Sequence, residues 1–358
     1  MVRLIVDTSG GTYPVHIGRG ALKELKPTLV RLDPTSVVIV TDTNVRPWAQ
    51  ALAKSLKSSR FKPVTYVVPA SERSKSFAVF GDLLAFMERK HIDRGGCVIA
   101  VGGGTVGDLA GLAASTWLRG IQLIEVPTTL LGMVDSSIGG KTAVNGVRMK
   151  NAIGTFWQPA AVIADLETLT TLPRNRYREA FAEVVKYAVA MDRPLFETLR
   201  KDTARLLAAE GDALEAVIMS CATAKALVVS RDEHDHGPRA ILNYGHTAAH
   251  AIEAASSFRI SHGRAVAFGM RVAARISRSL ELCTQRLVDQ QDELLTAFGL
   301  PDVAPSVSLD RVMAVIPHDK KARRGRVGWV LPRRVGYAEV GHTVPAGVVR
   351  RVIRKALS

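Results

Sequence analysis

Cys97-Val-Ile-Ala-Val101 runs without a break into Gly102-Gly-Gly-Thr-Val-Gly-Asp108, and this junction decides the reading of the first half of the chain. Five apolar residues make a strand of ordinary length. The glycines behind them match the G-x-G-x-x-G pattern, which lets backbone amides approach a pyrophosphate closely and so predicts a dinucleotide site. The stretch from Leu109 to Ser115 is expected to start a helix with its N-terminal dipole toward the phosphates. Working outward, Met1 to Asp7, Val37 to Thr41, Val64 to Val68 and Leu123 to Val126 read as strands, while Arg46 to Leu56 and Phe77 to Lys90 have helical spacing. That order is the one of a mostly parallel, Rossmann-like α/β sheet. Ligands of such sheets gather at the carboxyl ends of strands, where Asp42 and Gly102 stand. The glycine turn comes about a hundred residues into the chain and not after the first strand, a departure from the usual dinucleotide fold.

From Thr171 onward the pattern changes. Arg176 to Met191, Pro194 to Ala209, Ala213 to Arg231, Thr247 to Ser257, Ala265 to Leu282 and Val288 to Phe298 are rich in Ala and Leu and poor in strand signals. The expectation is an α/β domain over 1–173 and an all-α domain over 174–358, with the active site in the cleft between them.

Composition fits a globular enzyme: 358 residues, 47% apolar and 23% charged, exceed what one typical core supports. The net charge of +15 raises the question of nucleic acid. Its densest patch, Lys320 to Arg326, lacks interleaved aromatics and the rest is spread, so nucleic acid is not expected as a partner. A basic cleft would instead concentrate a small polyanion. No run of about 18 uncharged apolar residues occurs, no signal peptide is read at the N-terminus, and the expected location is the cytoplasm away from membranes. Cys97, Cys221 and Cys283 lack metal or redox spacing and read as reduced core residues.

Thr116-Trp-Leu-Arg-Gly120, Val126-Pro-Thr-Thr129, Asp135-Ser-Ser-Ile-Gly-Gly-Lys141 and Lys150-Asn151 set cations and a carboxylate among glycine-bearing turns, a density that suggests chemistry on a phosphorylated substrate. Glu183 and Lys186 share a helical face in Ala182-Glu-Val-Val-Lys-Tyr187, which by itself reads as an ordinary surface ion pair. In Asn243-Tyr-Gly-His-Thr-Ala-Ala-His250 the spacing makes His246 and His250 a candidate metal pair; the alternative is one capping and one core histidine. His262 stands just before another helix. Asp232-Glu-His-Asp-His236 reads as polar turn and caps rather than a second metal site. Arg239 offers a fork suited to a carboxylate. His16, His91, His318 and His342 read as structural or surface residues.

Together, Gly102 to Gly111, Val126-Pro-Thr-Thr-Leu-Leu131, Val134-Asp-Ser-Ser-Ile-Gly-Gly-Lys-Thr142, Lys150-Asn151, Ala182 to Tyr187 and Leu242-Asn-Tyr-Gly-His-Thr247 resemble the 3-dehydroquinate synthase family over most of the chain. The resemblance implies a homodimeric NAD- and zinc-dependent carbon–oxygen lyase, with Co2+ as an alternative ion. It would turn 3-deoxy-D-arabino-heptulosonate 7-phosphate into 3-dehydroquinate and phosphate in the shikimate pathway, by transient oxidation, phosphate elimination, re-reduction and intramolecular aldol closure. By the same resemblance Glu183, His246 and His262 are the metal ligands, and His250 moves to the substrate side. Asp42, Glu72, Lys75, Gly104, Thr105, Val106, Gly107, Asp108, Thr128, Thr129 and the run Thr168, Leu169, Thr170, Thr171 match cofactor positions, with Lys141 and Lys150 also in reach of the cofactor. Asp135 and Lys186 would address hydroxyls. Lys141, Lys150, Asn151, one of Lys320 and Lys321, and Arg119 from a partner subunit would meet the phosphate, and Lys225, Arg239 and Asn243 the carboxylate. The first domain would thus bind NAD and the second the metal and substrate.

Three positions depart from the family pattern. Arg264 stands where the family has Glu, beside His262; Ala70-Ser-Glu72 lacks a glycine before the Glu; and Asp235 is shorter than the Glu often found there. The first is expected to alter charge around the metal, the second the turn of the cofactor loop, and the third the surroundings of Arg239. The competing readings are another sugar-phosphate cyclase on the same scaffold, or a metal-dependent polyol or glycerol-phosphate dehydrogenase that releases NADH.

Overall fold

Val37, Ile39, Cys97, Ile99, Val101, Ile124 and Val126 pack on one side of a sheet with Leu25, Leu29, Ala49, Leu52 and Leu56 from two helices. Val38, Val40, Val98, Ala100 and Leu123 pack on the other with Phe80, Leu83, Met87, Val106 and Leu109. Neighbouring residues alternate between faces, and because helices cover both faces the strands read as continuous apolar runs.

The computed structural model describes residues 1–57, 60–147, 149–300, 307–318 and 327–358. It comprises two compact units, Met1–Pro173 with Lys225–His234, and Arg174–Ala224 with Asp235–Ser358. The strands of the first unit are β1 (Val2–Thr8), β2 (Gly11–Gly18), β3 (Val37–Asp42), β4 (Val64–Val68), β5 (Cys97–Gly102), β6 (Gln122–Pro127), β7 (Lys141–Val144), β8 (Ile153–Phe156) and β9 (Ala161–Asp165). Among the described residues, seven of them form one sheet in the order β1-β2-β9-β6-β5-β3-β4, parallel except for the β1–β2 hairpin. β7 and β8 pair antiparallel on their own. From β3 the chain passes to β4 on one side and returns to β5 on the other, so the winding reverses between β3 and β5. The loops beyond that reversal diverge, which is where ligands bind in such sheets. Asp42 ends β3 and Gly102 ends β5. The helix after β5 spans Gly104–Thr116, beginning inside the glycine turn and not at Leu109.

The second unit is helical, with helices at Arg174–Ala190, Arg193–Leu207, His246–Ala255, His262–Ser279, Gln285–Ala297, Leu309–Val315 and Ala346–Leu357. It is not all-α. β10 (Trp329–Arg334) and β11 (Tyr337–His342) form an antiparallel hairpin. Gly336 makes the turn at φ +82°, and its N–H donates to Val189 O at 2.9 Å, which ties the hairpin to the helix carrying Glu183. Pro332 and flanking arginines dilute the strand signal in the sequence. Helix Gly211–Arg231 is long and apolar enough to cross a membrane, yet half of its most apolar window is buried inside the protein, as expected of a core helix. All three cysteines are buried thiols outside any disulfide.

Candidate active site

In the first unit, Gly103 caps the helix at φ −81°, ψ −174°, and its carbonyl accepts from Val106 N and Gly107 N, both at 3.0 Å. Those angles are open to any residue. What demands glycine is room: a Cβ on Gly102 would lie 2.6 Å from Val106 Cβ, one on Gly103 2.9 Å from Thr129 Cγ2, and one on Gly107 2.9 Å from Glu125 Oε2. The helix start is thereby pressed onto the strand ends, with its first amides toward the crevice. Beneath it lies Glu125, whose carboxyl is pushed up to about 8 by burial and by nearby Asp108. Asp108 itself is raised by burial, against the pull of Lys75, with which it pairs.

Glu72 accepts from Thr105 Oγ1 at 3.1 Å and from Asn145 Nδ2 at 3.0 Å. Ser71 is extended and its side chain accepts from Arg73 N at 3.2 Å, so this turn needs no glycine before Glu72. Asp42 Oδ1 accepts from Asn44 N at 2.8 Å and Val45 N at 3.2 Å, closing the loop after β3. Thr129 Oγ1 accepts from Gly132 N at 3.0 Å, and Thr128 is buried. Thr168, Thr170 and Thr171 turn their hydroxyls onto carbonyls of their own turn, around the buried Leu169.

Among the residues expected to meet the phosphate, Lys141 opens β7 just after Gly140, whose φ is +67°. Gly139 N donates to Tyr13 OH at 3.1 Å and Trp157 N to Gly140 O at 2.7 Å, which fixes this turn against β2 and the segment after β8. Lys225 donates to the backbone carbonyl of Asp135 at 2.6 Å and pairs with its carboxylate, so the placing of these two groups is coupled. Arg119 is exposed in a turn where Leu118 and Arg119 both take left-handed angles, φ 48° and 71°. Lys320 and Lys321 lie outside the described residues.

In the second unit a single carboxylate is the hub. Glu183 is wholly buried, with Oε1 3.3 Å from His246 Nε2 and 3.2 Å from His262 Nε2, and Oε2 2.6 Å from Lys186 Nζ. The Glu183–Lys186 pair is therefore not a surface pair; Lys186 is 1% exposed. Burial opposes ionisation of Glu183, but Lys186 and the imidazoles outweigh it and hold the carboxyl well below its ordinary range. Burial also disfavours a charged His262, yet Glu183 and Glu253 push it up to about 10. Spacing alone pairs His246 with His250, whereas the ligand atoms of Glu183, His246 and His262 lie within 4.8 Å of one another.

Three glycines allow this convergence. A Cβ on Gly263 would overlap Glu179 O, and one on Gly269 would overlap Gly245 O, so the helix bearing His262 lies directly on the helix of Glu183 and on the start of the helix of His246. Gly245 caps that last helix at φ +81°. Behind these two rings, His246 Nδ1 is 3.2 Å from Tyr244 O, and His262 Nδ1 is 3.6 Å from Glu253 Oε1, a buried carboxylate. Such partners fix which ring nitrogen faces a metal. Arg264 does not take that place: its side chain is 52% exposed and lies 3.9 Å from Glu179. Beside His246, a small concavity is lined by Asn243, His250, Thr247, Ala240, Gly328 and Val330. Arg239 is buried nearby in sequence, on the turn Pro238–Asn243, and Asp235 takes a left-handed φ of 59°.

One buried carboxylate oxygen and two imidazole nitrogens form a donor set suited to a divalent transition ion, with positions left for substrate. The same carboxylates that favour a proton on His262 would favour a cation there. Around the glycine turn, the first amides of the helix after β5 offer donors suited to a dinucleotide phosphate.

Sequence reasoning passed over Asn145, Glu125 and Glu253. Glu253 had a signal: it falls seven residues after His246 and three after His250, on the same face of an Ala-rich helix.

Family models for the 3-dehydroquinate synthase N-terminal and C-terminal domains match residues 65–179 and 180–322. A 3-dehydroquinate synthase from Acidithiobacillus ferrooxidans is 41% identical over 356 residues, covering 99% of this chain and 98% of that protein. Among solved structures, 2-deoxy-scyllo-inosose synthase with carbaglucose-6-phosphate, NAD+ and Co2+ superposes with a TM-score of 0.91 at 26% identity, over 99% of this chain and 100% of that one. The 2-epi-5-epi-valiolone synthase of Streptomyces hygroscopicus, with NAD+ and Zn2+ bound, gives 0.89 at 26% identity, over 99% of each chain.

Proposed function

Because the chain belongs to the 3-dehydroquinate synthase family, we propose how its residues carry out that family's reaction. The protein converts 3-deoxy-D-arabino-heptulosonate 7-phosphate into 3-dehydroquinate and phosphate, a step of the shikimate pathway toward chorismate and the aromatic amino acids. The observation that carries the mechanistic reading is the triad of Glu183, His246 and His262 around one point. We assign it a divalent ion, Zn2+ or Co2+, and assign NAD to the glycine turn with Asp42, Glu72, Lys75, Thr105, Asp108, Thr128, Thr129 and the Thr168–Thr171 turn. The cyclases of the same fold whose structures hold NAD+ with Co2+ or Zn2+ support both assignments. When bound, NAD supplies a reversible hydride acceptor and the ion a Lewis acid.

The chain's own groups bind, orient and enclose. Lys186, fixed on Glu183, holds a hydrogen-bond donor where a ring hydroxyl must be oriented. Asp135, gripped by Lys225, presents a carboxylate to a second hydroxyl. Lys141, Lys150 and Asn151 receive the phosphate, and Arg239 with Asn243 the carboxylate; His250 stands in the concavity beside His246. A phosphate kept ionised by lysines is a good leaving group and can accept the neighbouring carbon's proton as it departs, so few strong acids and bases are needed. We further propose a homodimer in the cytoplasm, with Arg119 reaching the partner's phosphate site; buried cysteines outside disulfides suit a reducing compartment.

Removal and return of the cofactors test the assignment. Protein stripped with a chelator and freed of NAD should be inactive, regain turnover with Zn2+ or Co2+, and need NAD only in catalytic amount. Full turnover of the stripped protein without either addition would refute it. Mixing Arg119→Ala chains with Lys186→Ala chains tests the dimer: subunit exchange should restore activity, and verified heterodimers that stay inactive would remove Arg119 from the partner's site.

A further inference from the structure

Asn145 follows β7 and is assigned no role by the reading above. Its side-chain amide is engaged at both ends: Nδ2 donates to Glu72 Oε1 at 3.0 Å, and Oδ1 accepts from Asn151 N at 2.9 Å. Its backbone N–H donates to Lys75 O at 2.8 Å. The other oxygen of Glu72 accepts from Thr105, in the first turn of the helix after β5. One side chain thus ties together the turn carrying Glu72 and Lys75, the glycine-turn helix, and the segment carrying Lys150 and Asn151. Asn151 holds φ +53°, a left-handed angle that asparagine tolerates better than most residues and that a local contact can help to hold. The bond from its N–H to Asn145 is such a contact, and Gly146 N donating to Met149 O at 2.8 Å narrows the same turn. Only a side chain with a donor and an acceptor can serve both partners, since an aspartate would set a second carboxylate against Glu72.

We propose that Asn145 is a positioning residue that sets the NAD-side Glu72 and the phosphate-side Lys150 and Asn151 in register, so that its loss loosens both ligands at once. This rests on the assignment of Glu72 to cofactor and Asn151 to phosphate. The two bonds separate cleanly by substitution. Asn145→Ala removes both, whereas Asn145→Asp keeps the acceptor for Asn151 N and destroys the donor to Glu72.

The experiment measures the NAD dissociation constant by calorimetry, the KM for the heptulosonate phosphate, and the melting temperature, in these variants and in Glu72→Ala and Asn151→Ala. Asn145→Ala should weaken NAD and raise KM, each roughly five-fold for one lost hydrogen bond. Asn145→Asp should weaken NAD by at least as much while KM stays within about two-fold of the parent. Adding Glu72→Gln to Asn145→Asp restores a donor–acceptor pair with the roles exchanged, and should bring NAD affinity back to that of Glu72→Gln alone. A purely structural asparagine would lower the melting temperature of both variants and leave this split absent, which overturns the inference. If Glu72→Ala and Asn151→Ala lose affinity but the Asn145 variants behave as the parent, the inference falls and the site assignment stands. If those two controls are silent, the assignment fails and the inference with it.

Discussion

The two units hold their functional groups by different physics. In the first, the groups sit on turns beyond strand ends and are joined largely by hydrogen bonds of ordinary length, Thr105 to Glu72, Glu72 to Asn145, Asn145 to Asn151. Glycines there make space. In the second, one wholly buried carboxylate gathers a lysine and two imidazoles from three helices that touch through glycines. Taking one hydrogen bond from the first costs about 1 kcal/mol, whereas taking one charge from the second leaves its partners buried and uncompensated, a loss of about 3 to 5 kcal/mol. Shape governs much of the first unit, which also holds the Lys75–Asp108 and Lys225–Asp135 pairs, and one buried charge cluster governs the second.

That contrast can be broken. His262→Ala should fold, judged by circular dichroism, but bind metal at least about 100-fold more weakly and lose turnover, because even outer partners of a ligand are worth ten- to hundred-fold. One metal per chain with normal turnover would remove His262 from the ligand set. Gly269→Ala should cost about 3 kcal/mol in denaturant unfolding and weaken the metal, since its Cβ overlaps Gly245 O across a helix crossing. Gly104→Ala, whose Cβ would lie 3.0 Å from Ser136 Oγ, should lose about 1 kcal/mol or less of stability yet weaken NAD. Equal stability losses would erase the difference between the halves.

Glu125 sharpens the comparison, as a buried acid in the first unit whose strongest influences are burial and another acid, Asp108. Burial, with Asp108 adding to it, carries its pKa from 4.5 to about 8, so the folded protein holds an extra proton between those values. Its contribution to stability is complete below about pH 4.5 and is lost as the pH rises through about 8. Glu125→Gln should remove that slope and leave the variant more stable than the parent above pH 8, on the order of 2 kcal/mol after allowance for relaxation. Thermal melts from pH 5 to 9 check it, and parallel curves for the two proteins would contradict it. The smallest effect is expected from Arg264→Glu, because that side chain is half exposed and points to Glu179. Metal affinity should stay within about three-fold, as for other exposed pairs.

The same contrast explains what the sequence disclosed. The strand-to-glycine junction at Val101 and Gly102 is contiguous, so one stretch predicts the sheet, the turn and the ligand. Its helix starts at Gly104, five residues before the propensity signal at Leu109, because Gly104 and Gly107 depress helix propensity while their lack of a side chain lets the turn lie close to Ser136 and Glu125. Glu183, His246 and His262 lie 63 and 16 residues apart, and spacing alone favours His250 over His262; only the resemblance names the trio whose candidate ligand atoms converge. β9 is fully buried but only five residues long. β8 is exposed along its length, and so shows no apolar alternation. Asn145 gives no sequence signal, since its role exists only where three distant segments meet.

The most direct test of the account is a product balance. The protein, loaded with Zn2+ and catalytic NAD, is given the heptulosonate phosphate while phosphate, 3-dehydroquinate and absorbance at the NADH band are followed together. Phosphate and 3-dehydroquinate should appear in equal amounts with no net NADH, because the hydride taken early is returned before the ring closes. NADH accumulating in step with substrate loss, or no turnover of this substrate by the loaded protein, would contradict it.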